Sequence, residues 1–200
     1  MIIVLHGFGS TGDGSSTCQL VKESFPEHKV LAPTYTSGEF EHTIDELVKQ
    51  IKPELSGEDN ITFVGISLGG FFARYLADKS IDLFGVPCWD LIMLNPALHA
   101  PKSVRKYMGM NKNYNTGEKF EVTEKSISNL QKYVLTKDRP GLGITVITAD
   151  NDDSIDPTLA REMYADRARL VNFKEGGHRL QGKKEQIVEE IDFAINNVVI

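Results

Sequence analysis

Cysteine is scarce in this chain: Cys18 and Cys88 are the only two, and they lie far apart. That spacing matches neither a disulfide framework nor the clustered ligands of a metal site, so both read as buried thiols. Positive charge is also in short supply, with 22 Lys and Arg against 28 Asp and Glu and a net charge of -6. Such a balance offers no basic surface for neutralising phosphates and disfavours nucleic-acid partners. Long apolar runs are missing as well. Ile2-Ile3-Val4-Leu5 lacks a basic flank and is too short for a signal peptide or a membrane span. The expectation is a cytoplasmic protein with no membrane partner. Repeats, linkers and low-complexity tracts are absent too, which predicts a single domain over residues 1–200.

What is present is an ordinary globular composition, 40% hydrophobic and 25% charged. Apolar runs of strand length recur at Ile2–Leu5, Val30–Ala32, Ile61–Val64, Leu91–Leu94, Ile144–Thr148 and Leu170–Phe173. They are continuous rather than alternating, the pattern of strands buried on both faces. Helical spacing separates them. Ile44, Leu47, Val48 and Ile51 share one face, with Thr43 and Glu46 placed for a capping box. Asp156-Pro157 suits the start of another helix, and Ile187, Val188, Ile191 and Ile195 mark the last. Alternating strands and helices predict a mostly parallel sheet of about six strands inside a three-layer α/β sandwich, with ligands at the carboxyl ends of the strands. An insert at about 97–143 breaks the rhythm and reads as a small cap. It has helical patterns near Val104–Met108 and Ile127–Val134 and a loop over Asn111–Gly117. Its aromatics, Tyr107, Tyr114, Phe120 and Tyr133, suit either a compact pocket wall or core packing.

Gly65-Ile66-Ser67-Leu68-Gly69 lies between a strand and a helix candidate, where G-x-S-x-G forms a nucleophile elbow. So tight a reversal strains the serine backbone and exposes its hydroxyl. Ser67 is therefore the candidate nucleophile. Leu5-His6-Gly7-Phe8 follows the first strand, where a His-Gly dipeptide precedes one oxyanion donor. The backbone N–H groups of Phe8 and Leu68 are the candidate donors, and His6 reads as a structural hydrogen-bonder.

Of the five histidines, His178 follows the last strand in a glycine-rich loop and is the candidate base. His28, His42 and His99 sit in polar surroundings. The orienting acid must come from Asp150-Asn151-Asp152-Asp153-Ser154-Ile155-Asp156, after the fifth strand. Two further motifs are decoys. Gly7-Phe8-Gly9-Ser10-Thr11-Gly12 matches a dinucleotide fingerprint, yet the second strand ends without the acid that holds a ribose. The aspartate run resembles a calcium loop, but Ile155 and Arg161 occupy the places of its glycine and glutamate. No metal and no cofactor are expected.

Several segments resemble the YqiA-like esterases of the α/β-hydrolase superfamily, over nearly the whole chain. They are Leu5-His6-Gly7-Phe8, Gly65-Ile66-Ser67-Leu68-Gly69-Gly70, Asn95-Pro96-Ala97, Tyr114-Asn115-Thr116-Gly117-Glu118 and Glu175-Gly176-Gly177-His178. The resemblance implies an esterase acting on short acyl chains without a cofactor. By likeness to superfamily acid loops, with Ile155 three positions on, Asp152 is the candidate acid and Asp150 the alternative. The expected function is a serine carboxylesterase acting on a small acyl ester. A thioesterase with the same triad, or a non-catalytic binding module on the same fold, are the alternatives.

Overall fold

In a computed structural model, which describes residues 1–196, strand β1 (Ile2–Leu5) sends Ile3 and Leu5 to one hydrophobic core and Ile2 and Val4 to another. Helix α1 (Ser16–Ser24), strand β2 (Val30–Leu31) and helix α2 (Thr43–Ile51) follow. The centre of the chain holds β3 (Ile61–Ile66), α3 (Leu68–Asp78), α4 (Ser80–Phe84) and β4 (Cys88–Leu94). The insert contributes α5 (Ala100–Val104), the hairpin β5 (Gly109–Lys112) and β6 (Lys119–Val122), and α6 (Glu124–Gln131). Last come β7 (Gly143–Ala149), α7 (Pro157–Tyr164), β8 (Arg169–Phe173) and α8 (Lys184–Asn196).

Six strands form one sheet in the order β2-β1-β3-β4-β7-β8, with every pair parallel. The two-sided burial of β1 repeats in β3, β4 and β7. Phe63, Leu91, Met93 and Val146 join α2, α3 and α7 on one face, while Val64, Ile92, Leu94 and Ile147 join α1 and α8 on the other. The result is a three-layer α/β sandwich. Because β1 is flanked by β2 on one side and β3 on the other, the direction of winding reverses at β1 and β3, where the carboxyl ends open a crevice.

Some sequence expectations need correction. Leu170 is 38% exposed, because β8 is an edge strand and only its Val171 and Phe173 face the α8 layer. The capping box at Thr43 does not form: the helix is entered at His42, Thr43 is buried, and Glu46 instead accepts from the Thr36 N–H at 2.9 Å. Asn111 and Lys112 are not loop residues but the end of β5, paired with Phe120 and Lys119. The helical pattern at Val104–Met108 shrinks to the end of α5, a 3-10 turn over Arg105–Tyr107 and the approach to the hairpin. Pro157 does open α7, with the Asp156 carboxylate accepting from the Thr158 N–H at 2.9 Å.

The helix behind Ser67 is pinned through a buried charge cluster. Arg74 of α3 donates from Nε to Asp138 at 2.5 Å, and both side chains are 3% exposed. Asp138 also meets Arg167 at 3.0 Å and the Tyr164 hydroxyl at 3.2 Å, which joins α3 to α7. A buried pair stripped of one partner leaves an uncompensated charge. Asp138→Ala should therefore lower unfolding stability by about 3–5 kcal/mol, whereas replacing Arg74 and Asp138 together by Met and Leu should cost much less. Urea unfolding of both variants measures the difference, and equal losses would contradict the cluster's electrostatic role.

Candidate active site

Ser67 lies in the one-residue gap between β3 and α3 with φ 56° and ψ -120°, a left-handed backbone that only tight confinement sustains. The confinement is visible. A Cβ on Gly65 would collide with the Gly69 backbone, and one on Gly69 with the carbonyls of Leu5 and His6. The serine's own N–H donates to Leu94 O at 2.9 Å, and its carbonyl accepts from Gly70 and Ala97, each at 3.0 Å. Both glycines of the motif are thus demanded by close packing, and the hydroxyl is left facing the crevice.

His178 Nε2 stands 2.9 Å from Ser67 Oγ, and its Nδ1 stands 2.8 Å from Asp152 Oδ2. Since a carboxylate only accepts, Nδ1 carries the proton and Nε2 is free to accept from the serine hydroxyl. The Asp152 side chain is fully buried. Burial pushes its carboxyl up, but hydrogen bonds from His178 and from the N–H groups of Ile155 and Ser154 outweigh this and hold it below its ordinary value. Asp150 is placed elsewhere: exposed, it accepts from Arg161 at 2.6 Å and Asn172 at 3.0 Å. Asp156 caps α7, and Asp153 is exposed beside the Ser154 hydroxyl. His42 and His99 are exposed and His28 lies beside Glu27.

Phe8 and Leu68 line the same crevice as Ser67, and among the described residues no hydrogen bond is donated by either backbone N–H. Leu68 opens α3, where the helix dipole favours negative charge. The Phe8 loop is braced from two sides. Below it, buried His6 donates from Nδ1 to Gly7 O at 2.8 Å, accepts at Nε2 from the Tyr35 N–H at 3.3 Å, and stacks on the Tyr35 ring at 4.1 Å. Above it, the insert bears down: Tyr114 N–H reaches Gly9 O at 2.7 Å, Asn113 reaches Ser10 O at 3.1 Å, and Asn115 bonds Ser10, Thr11 and Gly14.

The crevice encloses about 1070 Å³. Phe8, Val104, Tyr107 and Tyr114 form an apolar wall, with the rings of Phe8 and Tyr107 stacked at 4.6 Å. Of the other insert aromatics, Phe120 only edges against Phe8, and Tyr133 packs into the core against Phe72 and Tyr75. Asn113, Asn115, Asn151 and Leu180 support the site without belonging to any catalytic motif of the sequence. Asn151 accepts from the Gly177 N–H at 2.8 Å, and buried Leu180, itself at φ 52°, anchors the loop just past His178. Asparagines inside turn-rich runs were the available signal, because their amides both donate and accept.

A family model described as "Uncharacterised protein family (UPF0227)" matches residues 1–195, the YqiA-like group to which the motifs point. The chain belongs to this family. UPF0227 is also tied by structure to the α/β-hydrolase fold. Est1E from Butyrivibrio proteoclasticus, solved with ferulic acid bound, superposes with a TM-score of 0.73 at 17% identity, covering 100% of this chain and 89% of that one. The alpha/beta hydrolase domain-containing protein 10 from mouse gives 0.70 at 18%, covering 98% and 89%. A monoacylglycerol lipase from Paleococcus ferrophilus gives 0.68 at 12%, covering 97% and 93%. At such identities the likeness establishes the fold. Among the described residues of this UPF0227 member, no helix is long and apolar enough to cross a membrane.

Burial lowers the His6 pKa to about 4, so the ring is neutral when it supports the Phe8 loop. Between its unfolded value of about 6.5 and that folded value, only the unfolded chain takes up the proton. His6 should therefore withdraw up to about 3 kcal/mol of stability as pH falls from about 6.5 to 4, with no such loss above that window. Proton NMR checks this: the His6 ring signals should hold their neutral positions down to about pH 5, and titration near pH 6.5 would contradict the buried, neutral ring.

Proposed function

We propose that this chain is a serine carboxylesterase that cleaves short-chain acyl esters. The observation that carries the proposal is the unbroken line from Ser67 Oγ to His178 Nε2 at 2.9 Å and from His178 Nδ1 to Asp152 at 2.8 Å, in a crevice that Phe8 and Leu68 also line. Ser67 attacks the ester carbonyl as its proton passes to His178, and Asp152 stabilises the imidazolium. The carbonyl oxygen becomes an oxyanion received by the N–H groups of Phe8 and Leu68. His178 then gives its proton to the departing alkoxide, leaving an acyl-serine. Water then attacks the acyl-serine as the same imidazole takes its proton, and His178 returns that proton to Ser67 Oγ as the carboxylic acid leaves. Two free, buried thiols, Cys18 and Cys88, also suit a reducing cytoplasm.

A fluorophosphonate probe should label wild-type protein at Ser67, and Ser67→Ala should abolish both labelling and ester hydrolysis while the fold persists. Asp152→Asn should lower kcat by up to about 10⁴-fold through loss of the productive tautomer, and Asp150→Asn far less because its partners are Arg161 and Asn172. Inverted losses would move the acid to Asp150, and full activity in Ser67→Ala would overturn the hydrolase reading.

Beyond Phe8, Val104, Tyr107 and Tyr114, most residues lining the crevice are polar or glycine, so its apolar surface is limited, which suits a small acyl group. Across a panel of acyl esters and thioesters, kcat/KM should be highest for short oxygen esters. A maximum at long chains would refute the acyl-size expectation, and a clear thioester preference would recast the protein as a thioesterase.

A further inference from the structure

We propose that Asn95 is a positioning residue that sets the reach of both Asp152 and His178 towards Ser67, an inference that rests on the triad reading above. Asn95 follows β4 directly, is 1% exposed, and has a left-handed backbone at φ 40°. Its N–H donates to Ile147 O at 2.8 Å, and its Oδ1 accepts from the Ala149 N–H at 3.0 Å. Its Nδ2 donates to Gly177 O at 3.0 Å and His178 O at 3.1 Å. Only an oxygen can meet the Ala149 N–H and only a nitrogen can serve two carbonyls, so the network itself fixes the amide's orientation.

The consequence is geometric. One buried side chain grips the last residue of β7, from which the turn to Asp152 departs with the Asp152 N–H on Ala149 O, and also grips the peptide units around His178. Two residues on, the Ala97 N–H holds the Ser67 carbonyl at 3.0 Å. A single turn, Asn95-Pro96-Ala97, thus sets the spacing of the nucleophile, acid and base loops. Left-handed backbone preference accounts for an asparagine here but not for its three side-chain bonds, and glycine satisfies the backbone alone.

Asn95→Gly separates the two roles, because it keeps the backbone conformation and removes the side-chain clamp. The full chain is assayed for short-chain ester hydrolysis, fluorophosphonate labelling and the downfield Nδ1 proton resonance of His178. In the folded variant kcat should fall by about 10²-fold with KM changed less than about twofold, the signature of misplaced reacting groups. The Nδ1 resonance should broaden into exchange with water. Should Asn95→Gly fail to fold, Asn95→Asp carries the same expectation: its carboxylate keeps the bond from Ala149 and turns an acceptor, not a donor, towards Gly177 and His178. Wild-type kcat with an intact resonance in either folded variant overturns the proposal. If the wild-type protein itself is inert to probe and esters, the hydrolase reading fails, while the resonance still decides whether Asn95 orients His178.

Discussion

The structure turns on one uncomfortable backbone position. A non-glycine residue at φ 56° costs on the order of 1–3 kcal/mol, and Ser67 holds it only because its surroundings leave no alternative. Those surroundings are the middle of the sheet: β3 lies between β1 and β4, Leu5 and His6 press on Gly69, and Pro96 lies close to Gly70. Relaxing the serine would require moving β1 or β4. A strained residue of this kind needs a stiff frame, which is why the elbow follows one of the most deeply buried strands of the chain.

The same stiffness governs the partners. His178 is 111 residues from Ser67 and 26 from Asp152, so their meeting is decided by parallel strand register and not by local chain stiffness. In a parallel sheet the carboxyl ends of β3, β4, β7 and β8 lie along one edge, and each loop leaving that edge needs a restraint of its own. Ile155 and Ser154 N–H groups restrain Asp152, and Asn151 with buried Leu180 restrains the His178 loop. Buried hydrogen bonds suit this task, since leaving such groups unpaired is costly and their geometry is narrow.

The insert works as a brace rather than a separate layer. Its asparagines satisfy backbone groups of the loop after β1, and a Cβ on Gly14 would strike the Asn115 side chain. The insert and the loop after β1 that carries Phe8 are therefore shaped to each other. Tyr107 and Tyr114 come to border the crevice as a by-product of that fit, while Tyr133, of the same chemical kind, is drawn into the core by Phe72 and bonds the Glu41 carbonyl.

Local chemistry alone determined a good deal. Continuous apolar runs announced the central strands, because a strand buried on both faces has no polar face to alternate with. Glycines flanking Ser67 announced the elbow, because no other residue fits two backbones pressed together. Asp156-Pro157 announced a helix start. Beyond one or two turns the sequence fell silent. The edge position of β8, the diversion of Glu46 from a cap to Thr36, and the β5–β6 hairpin in a stretch read as loop all depend on neighbours far along the chain. Most plainly, four aspartates stand within seven residues of one loop: likeness to superfamily acid loops favours Asp152, but local chemistry alone does not separate it from Asp150. Only the register of β7 against β8 and the path of the chain beyond each strand bring Asp152 under His178 and leave Asp150 to Arg161. Residue type and spacing are local properties, whereas which carboxylate is desolvated beside an imidazole is settled only when distant strands pack.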